Sequence, residues 1–136
     1  MKNRHTFGKQ ERLKSRKQIE QLFKEGKSIN VFPYRVRYLN FAAMPHQSSL
    51  QAGIAVSKRS FKKAVHRNRI KRLTREAYRL QKLPLQKKLA DKNRKLVLFF
   101  MYSGKELPEF LLVKEKVRLI LDKLISVVDE NSLENT

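Results

Sequence analysis

The apolar run at residues 96–102 constrains the fold more strongly than any other feature of the chain. The run has seven residues, far fewer than the roughly 20 that a membrane-spanning helix requires. It is therefore predicted to be a buried β-strand. Residues 1–12 are polar and basic and lack the apolar core of a secretory signal. Since the chain also has no cysteine, disulfide scaffolds and thiolate zinc sites are excluded, and we expect a soluble cytoplasmic protein.

Patterns before this run predict one short helix and two more strands. Ser15 is a candidate N-cap with Gln18 at the capping-box position, and Gly26 can end the helix in the left-handed conformation. Residues 34–38 alternate with a period of two, and residues 52–56 form a second short apolar segment. Both segments are predicted to be strands.

Two longer helices are predicted from apolar spacing near 3.6 residues. The first covers residues 64–82 and carries apolar residues on one side and basic residues on the other. Pro84 interrupts it, so residues 87–95 are predicted to be a basic, exposed connection. The second covers residues 107–129, with Pro108 near its first turn, and ends in a polar tail.

The order of these elements predicts an α+β fold. It reads helix, strand, strand, basic helix, strand, helix, with room for one further short strand before the basic helix. Because the sequence has no internal repeat or low-complexity linker, we expect one domain over residues 1–128, with helices packed on a single sheet. Residues 1–12 are predicted to be flexible, and residues 129–136 to form the polar tail.

The basic residues are concentrated in one part of the chain. The sequence holds 32 Lys and Arg residues against 12 Asp and Glu, a net charge of +20. Residues 1–105 hold 28 basic and 5 acidic residues, whereas residues 106–136 hold 4 and 7. Residues 58–75, which we call the basic segment, hold nine basic residues and no acidic one. A charge of this size calls for a polyanionic partner, either nucleic acid or an anionic membrane surface.

The composition of the basic segment favours nucleic acid. A run of charge is usually just a solvated helix face, but such faces normally interleave Glu with Lys at i and i+4. Within the helix, only Arg72 is placed to pair with an acid four residues on, Glu76. Arginine outnumbers lysine four to one over residues 67–75, which suits bidentate phosphate contacts and stacking on bases. A membrane is the weaker alternative because this helix presents Ile, Leu and Ala but no Trp or Phe.

A second candidate surface joins the first helix to the tyrosine-bearing strand. Aromatic side chains beside Arg35, Arg37 and Lys24 could stack on unpaired bases while the cations hold the backbone. The alternative is that these apolar and aromatic residues are simply core. The members of this set are Ile19, Phe23, Tyr34, Val36 and Tyr38.

The sequence supplies no catalytic constellation. His5, His46 and His66 stand in no metal-ligand or nucleophile motif. Only five carboxylates are scattered over residues 1–105, which poorly supports a two-metal nuclease site, and the four glycines form no phosphate-binding loop. The protein by itself is therefore not expected to be a catalyst.

The basic segment resembles the protein subunit family of bacterial ribonuclease P. The resemblance rests on Lys58-Arg59, Ala64-Val65 and the run Arg67-Asn68-Arg69-Ile70-Lys71-Arg72-Leu73-Thr74-Arg75-Glu76, and it extends over residues 12–128. It implies a ribosomal-protein-like α+β sandwich with a left-handed βαβ crossover. It also implies a ribonucleoprotein endonuclease that removes the 5′ leader of precursor tRNA and leaves a mature 5′ phosphate.

The same resemblance implies partners and site residues. The catalyst is the RNA subunit, which holds the magnesium ions, and the protein alone binds none stably. The partners are this catalytic RNA and precursor tRNA, without a membrane or an obligate protein partner. The residues implied to bind the RNA subunit are Lys58, Arg59, Lys62, Lys63, Arg67, Asn68, Arg69, Lys71, Arg72 and Arg75. Those implied to bind the leader, in a cleft between the first helix and the sheet, are Ile19, Phe23, Tyr34, Val36, Arg37 and Tyr38.

Two departures from the family and two rival functions stay open at this point. Ile19 stands where many members carry an aromatic residue, and either Arg37 or Tyr38 could take the place of the inward aromatic on the first strand. A structural ribosomal protein would be equally basic and similar in fold. A free-standing nuclease would cleave without RNA, which the shortage of carboxylates argues against.

Overall fold

A four-stranded sheet and four α-helices make up the part of the chain that the structure describes. The structure is a computed structural model, and it describes residues 8–13, 15–43, 45 and 47–134. A 3₁₀ turn at Lys9–Glu11 precedes the first helix. In chain order the elements are α1 (Arg16–Glu25), β1 (Lys27–Val31), β2 (Tyr34–Ala42), β3 (Leu50–Val56), α2 (Ala64–Gln81), α3 (Leu83–Lys92), β4 (Arg94–Tyr102) and α4 (Phe110–Glu134).

The strands lie in the order β1-β2-β4-β3. The β1–β2 and β2–β4 pairs are antiparallel, whereas β3 and β4 are parallel neighbours. Because parallel neighbours cannot be joined by a tight turn, the chain leaves β3, passes through α2 and α3, and returns as β4. The α+β class and the βαβ crossover are therefore as expected.

The apolar run forms the inner strand β4, as predicted, and begins two residues earlier, at Arg94. Leu96, Leu98 and Phe100 are fully buried in the core cluster shared with α2 and α4. Val97 and Phe99 point to the opposite face, where they pack in a smaller cluster with α1. Residues 96–100 of this strand are apolar on both faces because helices cover both sides of the sheet there.

The structure corrects two predictions in the first half of the chain. The edge strand β1 was missed because the alternation in its sequence KSINV is limited to two apolar residues, Ile29 and Val31, which is too short a pattern to mark a strand. Gly26 ends α1, but with φ −74° and ψ 162° it is extended and not left-handed. A Cβ here would collide with the carbonyl oxygen of Leu22 and lie 2.9 Å from that of Tyr38. Glycine is needed for this close approach.

The predicted exposed connection at residues 87–95 is wrong. Most of it belongs to α3, which fully buries Leu85 and Leu89. Pro84 lies in the first turn of α3, where the missing N–H is not needed. The proline therefore marks the start of a second helix, and α2 ends at Gln81. Asn93 ends α3 in the left-handed conformation, with φ 56°.

Regular structure extends into parts of both terminal segments that the structure describes. Of the segment predicted to be flexible, residues 1–7 lie outside the described residues, while Arg12 makes a β-bridge to Ala52. At the other end, α4 begins at Phe110, after Pro108, and continues to Glu134, so residues 129–134 of the predicted polar tail belong to the helix. Asp129 forms an ion pair with Lys88 of α3 at 3.2 Å.

Candidate nucleic-acid interface

The basic segment forms the loop after β3 and the first two-thirds of α2. Ile70, Thr74, Ala77 and Tyr78 of α2 are buried, which turns this side of the helix to the sheet and to α4. The first turn of α2 contains no acidic residue, so the positive end of the helix dipole adds to the side-chain charge. The helix therefore separates an apolar face from a cationic face, as the sequence predicts.

Most of the predicted RNA-binding side chains are exposed on this cationic face. No ion pair within the described part of the chain involves a basic residue of the segment. Only Arg67 and Lys71 are half-buried. The exposed members are Lys58, Arg59, Lys62, Lys63, Asn68, Arg69, Arg72 and Arg75.

Arg67 organises the loop that leads into α2. Its Nη1 donates hydrogen bonds to the carbonyl oxygens of Phe61, at 2.7 Å, and Lys62, at 2.9 Å. Phe61 is itself buried, with its ring centroid 6.0 Å from that of Tyr102. The guanidinium thus ties the cationic loop to the start of the helix.

The predicted pair between Arg72 and Glu76 is not formed. Glu76 instead accepts a hydrogen bond from Arg79, with 2.6 Å between Oε2 and Nη2. This hydrogen bond lowers the pKa of the Glu76 carboxyl group. Glu76, which directly follows the basic segment in sequence, is therefore neutralised by a residue outside that segment.

The second surface lies where α1 meets the sheet, on the face opposite α2 and α4, and we call it the cleft. Leu13, Leu22 and Val97 are buried in its corner. Since Arg35 is exposed and Met101 is only half-buried, α1 leaves part of this sheet face open. We call this whole side of the sheet, including the part beneath the last turn of α1, the open face.

Three of the predicted leader-binding residues do not line this cleft. The side chains of Tyr34, Val36 and Tyr38 are 1%, 0% and 8% exposed in the core beneath α2 and α4. The prediction is wrong for these three because alternation shows which residues share a face but not which face is covered. Tyr34 lies 2.6 Å from the Thr74 hydroxyl oxygen, and its burial raises its pKa to about 12.

The remaining predicted residues do meet at the cleft. Phe23 is 40% exposed, and its ring centroid lies 5.5 Å from that of Phe99 in an edge-on arrangement. The Arg37 guanidinium carbon lies 5.5 Å from the Phe23 ring centroid. Ile19 packs partly buried in the same cluster. Arg37, and not Tyr38, faces the cleft.

Sequence reasoning missed Phe99, Met101 and Gly53 on the open face. The first two lie inside the apolar run, whose composition predicts a buried strand but does not assign its residues to faces. Phe99 stands directly opposite Arg37 on β2 and Gly53 on β3. Only the strand register reveals this, and the signal that could have suggested it is the period of two within β4.

The described residues offer no metal site and no membrane span. No group of three or more His, Cys, Asp or Glu side chains among them is placed to hold a metal ion. His66 lies half-buried on α2, while His5 and His46 fall outside the described residues. Within the same residues, every helix is too short or too polar to cross a bilayer.

Comparisons with known proteins agree with one another. Residues 7–124 match the family described as Ribonuclease P. Proteins named ribonuclease P protein component from two strains of Porphyromonas gingivalis are 38% and 39% identical over 133 residues, which are 96% of this chain and 96% of each relative. A solved RNase P protein from Thermotoga maritima has a TM-score of 0.64 and 27% identity, covering 83% of this chain and 96% of that chain. One from Staphylococcus aureus, 20% identical with a TM-score of 0.61 over 84% of this chain and 94% of that chain, shares the fold.

Proposed function

The chain belongs to the ribonuclease P protein family, and on this premise we propose that it binds two RNAs. The basic segment binds the catalytic RNA subunit, and the cleft beside α1 binds the 5′ leader of precursor tRNA. The ribonucleoprotein cleaves off the leader as an endonuclease and leaves a 5′ phosphate on the mature tRNA. The observation that carries this proposal is the exposed cationic face of α2, which has no acidic residue across residues 58–75.

The electrostatics of the basic segment support its role in RNA binding. Its exposed cations have no carboxylate partners in the described residues, so their mutual repulsion is relieved only when anions arrive. Phosphates of a folded RNA supply such anions at close spacing. The planar guanidinium groups of Arg69, Arg72 and Arg75 can each bind a phosphate through two N–H groups.

The shape and chemistry of the cleft support its role in leader binding. Aromatic rings stack on unpaired bases with little regard to sequence, and Phe23 is half-exposed beside Phe99. Ile19 and Arg37 lie on the same side of the sheet, and Met101 lies two residues beyond Phe99 on β4. The exposed Arg35 at the rim is available to a leader phosphate. A single strand fits this arrangement, whereas Tyr34, Val36 and Tyr38 take no part in it.

The protein's contribution to catalysis is electrostatic and positional. The basic segment neutralises crowded phosphates near the catalytic core of the RNA, and the cleft fixes the leader and hence the scissile bond. The RNA subunit holds the magnesium ions, and no step passes through a metal on the protein. Because precursor tRNA is a cytoplasmic RNA in bacteria, the proposal implies a cytoplasmic location. It requires neither a membrane nor an obligate protein partner.

The test is reconstitution with ribonuclease P RNA. Single-turnover cleavage of precursor tRNA is measured against magnesium concentration, with and without the protein. We expect the protein to shift the curve to lower magnesium, because fewer phosphates then need metal ions for neutralisation. The triple variant Arg69→Ala, Arg72→Ala and Arg75→Ala should lose most of this shift. Identical curves with and without the wild-type protein contradict the proposal.

A matched control removes three charges from another surface. Lys114, Arg118 and Lys123 are exposed on α4, and their joint replacement by alanine should leave the shift intact. Sequencing the RNA that copurifies with the protein separates this function from that of a ribosomal protein, since it should yield ribonuclease P RNA and not ribosomal RNA. Cleavage by the protein without RNA would instead indicate a free-standing nuclease.

A further inference from the structure

One row of residues crosses the open face with a single member from each strand. The register pairs Ser28 of β1 with Arg37 of β2, Arg37 with Phe99 of β4, and Phe99 with Gly53 of β3. Side chains that are paired in this way lie on the same face of the sheet. The row therefore runs straight across the floor of the cleft, beneath the last turn of α1.

Arg37 is committed to contacts within the protein. Its Nη1 donates to the Ser28 hydroxyl oxygen at 3.3 Å, and its Nη2 donates to the carbonyl oxygen of Phe23. That carbonyl is one of the last four of α1 (Arg16–Glu25), which have no partner inside the helix and lie at the negative end of its dipole. The same guanidinium lies over the Phe23 ring, 5.5 Å from its centroid. One side chain thus fixes both the backbone and the ring of Phe23.

Gly53 controls the other side of the aromatic pair. A Cβ at this position would lie 2.7 Å from Cδ1 and 2.8 Å from Cε1 of Phe99. The Phe99 ring consequently lies across the glycine, where any larger residue would displace it. From this position its ring meets that of Phe23 edge-on, with 5.5 Å between centroids.

We propose that Arg37 is a positioning residue for leader binding. It holds the Phe23 ring against the Phe99 ring, so that the two rings together form a fixed aromatic surface for one unpaired base. Gly53 fixes the position of the second ring, because the absence of a Cβ lets the Phe99 ring lie across the backbone of β3. Arg37 therefore acts through the two rings, and its guanidinium group does not bind a leader phosphate. This inference rests on the proposed function, because it concerns the cleft assigned to the leader.

The experiment uses ribonuclease P reconstituted with its RNA subunit. Precursor tRNA carries the fluorescent base 2-aminopurine at one leader position at a time, and stacking is followed as quenching on binding, before cleavage. Affinity is measured over a range of salt concentrations for precursor and for mature tRNA. The variants are Arg37→Ala, Arg37→Lys and Gly53→Ala. The matched control is Arg35→Ala, which removes the same charge from the same face of β2 at an exposed position.

We expect Arg37→Ala to abolish quenching at one leader position and to weaken precursor binding about tenfold, the equivalent of one lost stacking contact. Its salt dependence should equal that of the wild type, because no phosphate contact is lost. Gly53→Ala should lose the same quenching with every charge in place. Arg37→Lys should not restore it, since an ammonium group cannot bind Ser28 and Phe23 as a fork. Arg35→Ala should keep the quenching and lower the salt slope by about 0.7.

Each other outcome overturns the inference. Quenching that survives both Arg37→Ala and Gly53→Ala removes the positioning role. The positioning role is also removed if Arg37→Ala lowers the salt slope of precursor binding as much as Arg35→Ala does, or if Arg37→Lys fully restores the quenching. Either result would make Arg37 a phosphate ligand. If Arg37→Ala does not fold, Gly53→Ala and Arg37→Lys decide the matter. Failure of the leader cleft itself looks different, because the wild type would then bind precursor and mature tRNA equally and show no quenching at any position.

Discussion

Tyr34 and Arg37 lie three positions apart on β2, and their side chains occupy opposite faces of the sheet. Tyr34 is buried beside Thr74 of α2, whereas Arg37 lies beside Phe23 of α1. Thr74 donates its hydroxyl proton to the carbonyl oxygen of Ile70 at 2.8 Å. Since Thr74 has one proton to give, Tyr34 is the donor in the hydrogen bond between the two hydroxyl groups. Tyr34 is thus a structural residue that ties the sheet to the basic helix.

Replacing Tyr34 by phenylalanine should therefore affect stability and not leader binding. We expect the free energy of unfolding at pH 7 to fall by about 1 kcal/mol, the usual value of one hydrogen bond, with no change in KM for precursor tRNA. Chemical denaturation and single-turnover cleavage measure the two quantities. A raised KM with unchanged stability would return Tyr34 to the leader site.

Because the pKa of Tyr34 is raised, the difference in free energy of unfolding between the wild type and Tyr34→Phe should depend on pH. Because the pKa is about 12 in the folded protein and near its ordinary value of 10.0 in the unfolded chain, the stabilisation is complete below pH 10. It is lost as the pH rises towards 12, by about 1.4 kcal/mol per pH unit. The amount by which Tyr34→Phe is less stable than the wild type should therefore shrink above pH 10 and vanish at roughly pH 11. A deficit that stays constant to pH 11.5 would contradict this explanation.

Alternation in β2 could be predicted from the sequence, but the side that α1 covers could not. The apolar residues of β2 and β4 serve two clusters of unequal size, one on each face. Both faces of the sheet therefore carry aromatic side chains, and a single strand contains no information about which helix lies on which face. The register of Arg37 with Phe99 depends on a partner strand about 60 residues away in sequence and cannot be obtained from local patterns.

At the scale of elements, α2 and α3 show where helix signals succeed and where they fail. The spacing of apolar residues in α2 predicts its start at Ala64 and its cationic face correctly. Pro84 misleads because a proline that breaks a helix and one that begins the next look alike in sequence. The structure separates the two helices by one residue, Lys82, which is buried and paired with Glu11. That pairing is long-range and has no local signature.

The start of α2 provides a test that separates folding from RNA binding within one element. Arg67 caps the preceding loop, whereas Arg72 is exposed on the cationic face. Arg67→Ala should lower the free energy of unfolding by about 1 kcal/mol through the lost hydrogen bonds to two carbonyl groups. Arg72→Ala should change it by less than about 0.5 kcal/mol and should flatten the salt dependence of binding to the RNA subunit by about 0.7 to 0.9 per lost phosphate contact.

The lysine variant sharpens this test. Arg67→Lys keeps the charge, but the lysine side chain is one bond too short to place its nitrogen where Nη1 donates to the Phe61 and Lys62 carbonyl oxygens. It should therefore retain any phosphate contact and still lose stability. Equal stability of Arg67→Ala, Arg72→Ala and the wild type in denaturant titrations would remove the capping role from Arg67.

At the scale of the whole molecule, the charge of +20 is distributed unevenly over the fold. Acidic residues of the described chain form ion pairs away from the basic segment, as in Asp129 with Lys88 and Asp122 with Arg118. The cationic face of α2 receives no such compensation. Because neighbours at i+3 and i+4 on a helix lie about 5–6 Å apart, these charges repel one another well within the screening length of about 10 Å at 0.1 M salt. Repulsion between these charges therefore destabilises the free protein, and the phosphates of an RNA partner remove this destabilisation.

This distribution predicts opposite effects of salt on folding and on binding. Between 0.1 and 1 M NaCl the screening length falls from about 10 Å to about 3 Å, so the free energy of unfolding of the free protein should rise by on the order of 1 kcal/mol. Over the same range the affinity for the RNA subunit should fall steeply, as phosphate contacts lose their gain from counterion release. Denaturant titrations and filter binding at matched salt concentrations measure the two trends.

The triple variant at Arg69, Arg72 and Arg75 identifies the source of the repulsion. With these three charges replaced by alanine, the protein should be more stable than the wild type at 0.1 M salt and should gain less on going to 1 M, because less repulsion is left to screen. Removing Lys114, Arg118 and Lys123 from α4 serves as the control, since it lowers the net charge equally in a region where acids lie nearby. If both triple variants respond to salt alike, the repulsion belongs to the net charge. If only the first variant gains less stability than the wild type between 0.1 and 1 M salt, the repulsion belongs to the cationic face of α2, whose charges lower the stability of the free protein and raise its affinity for RNA.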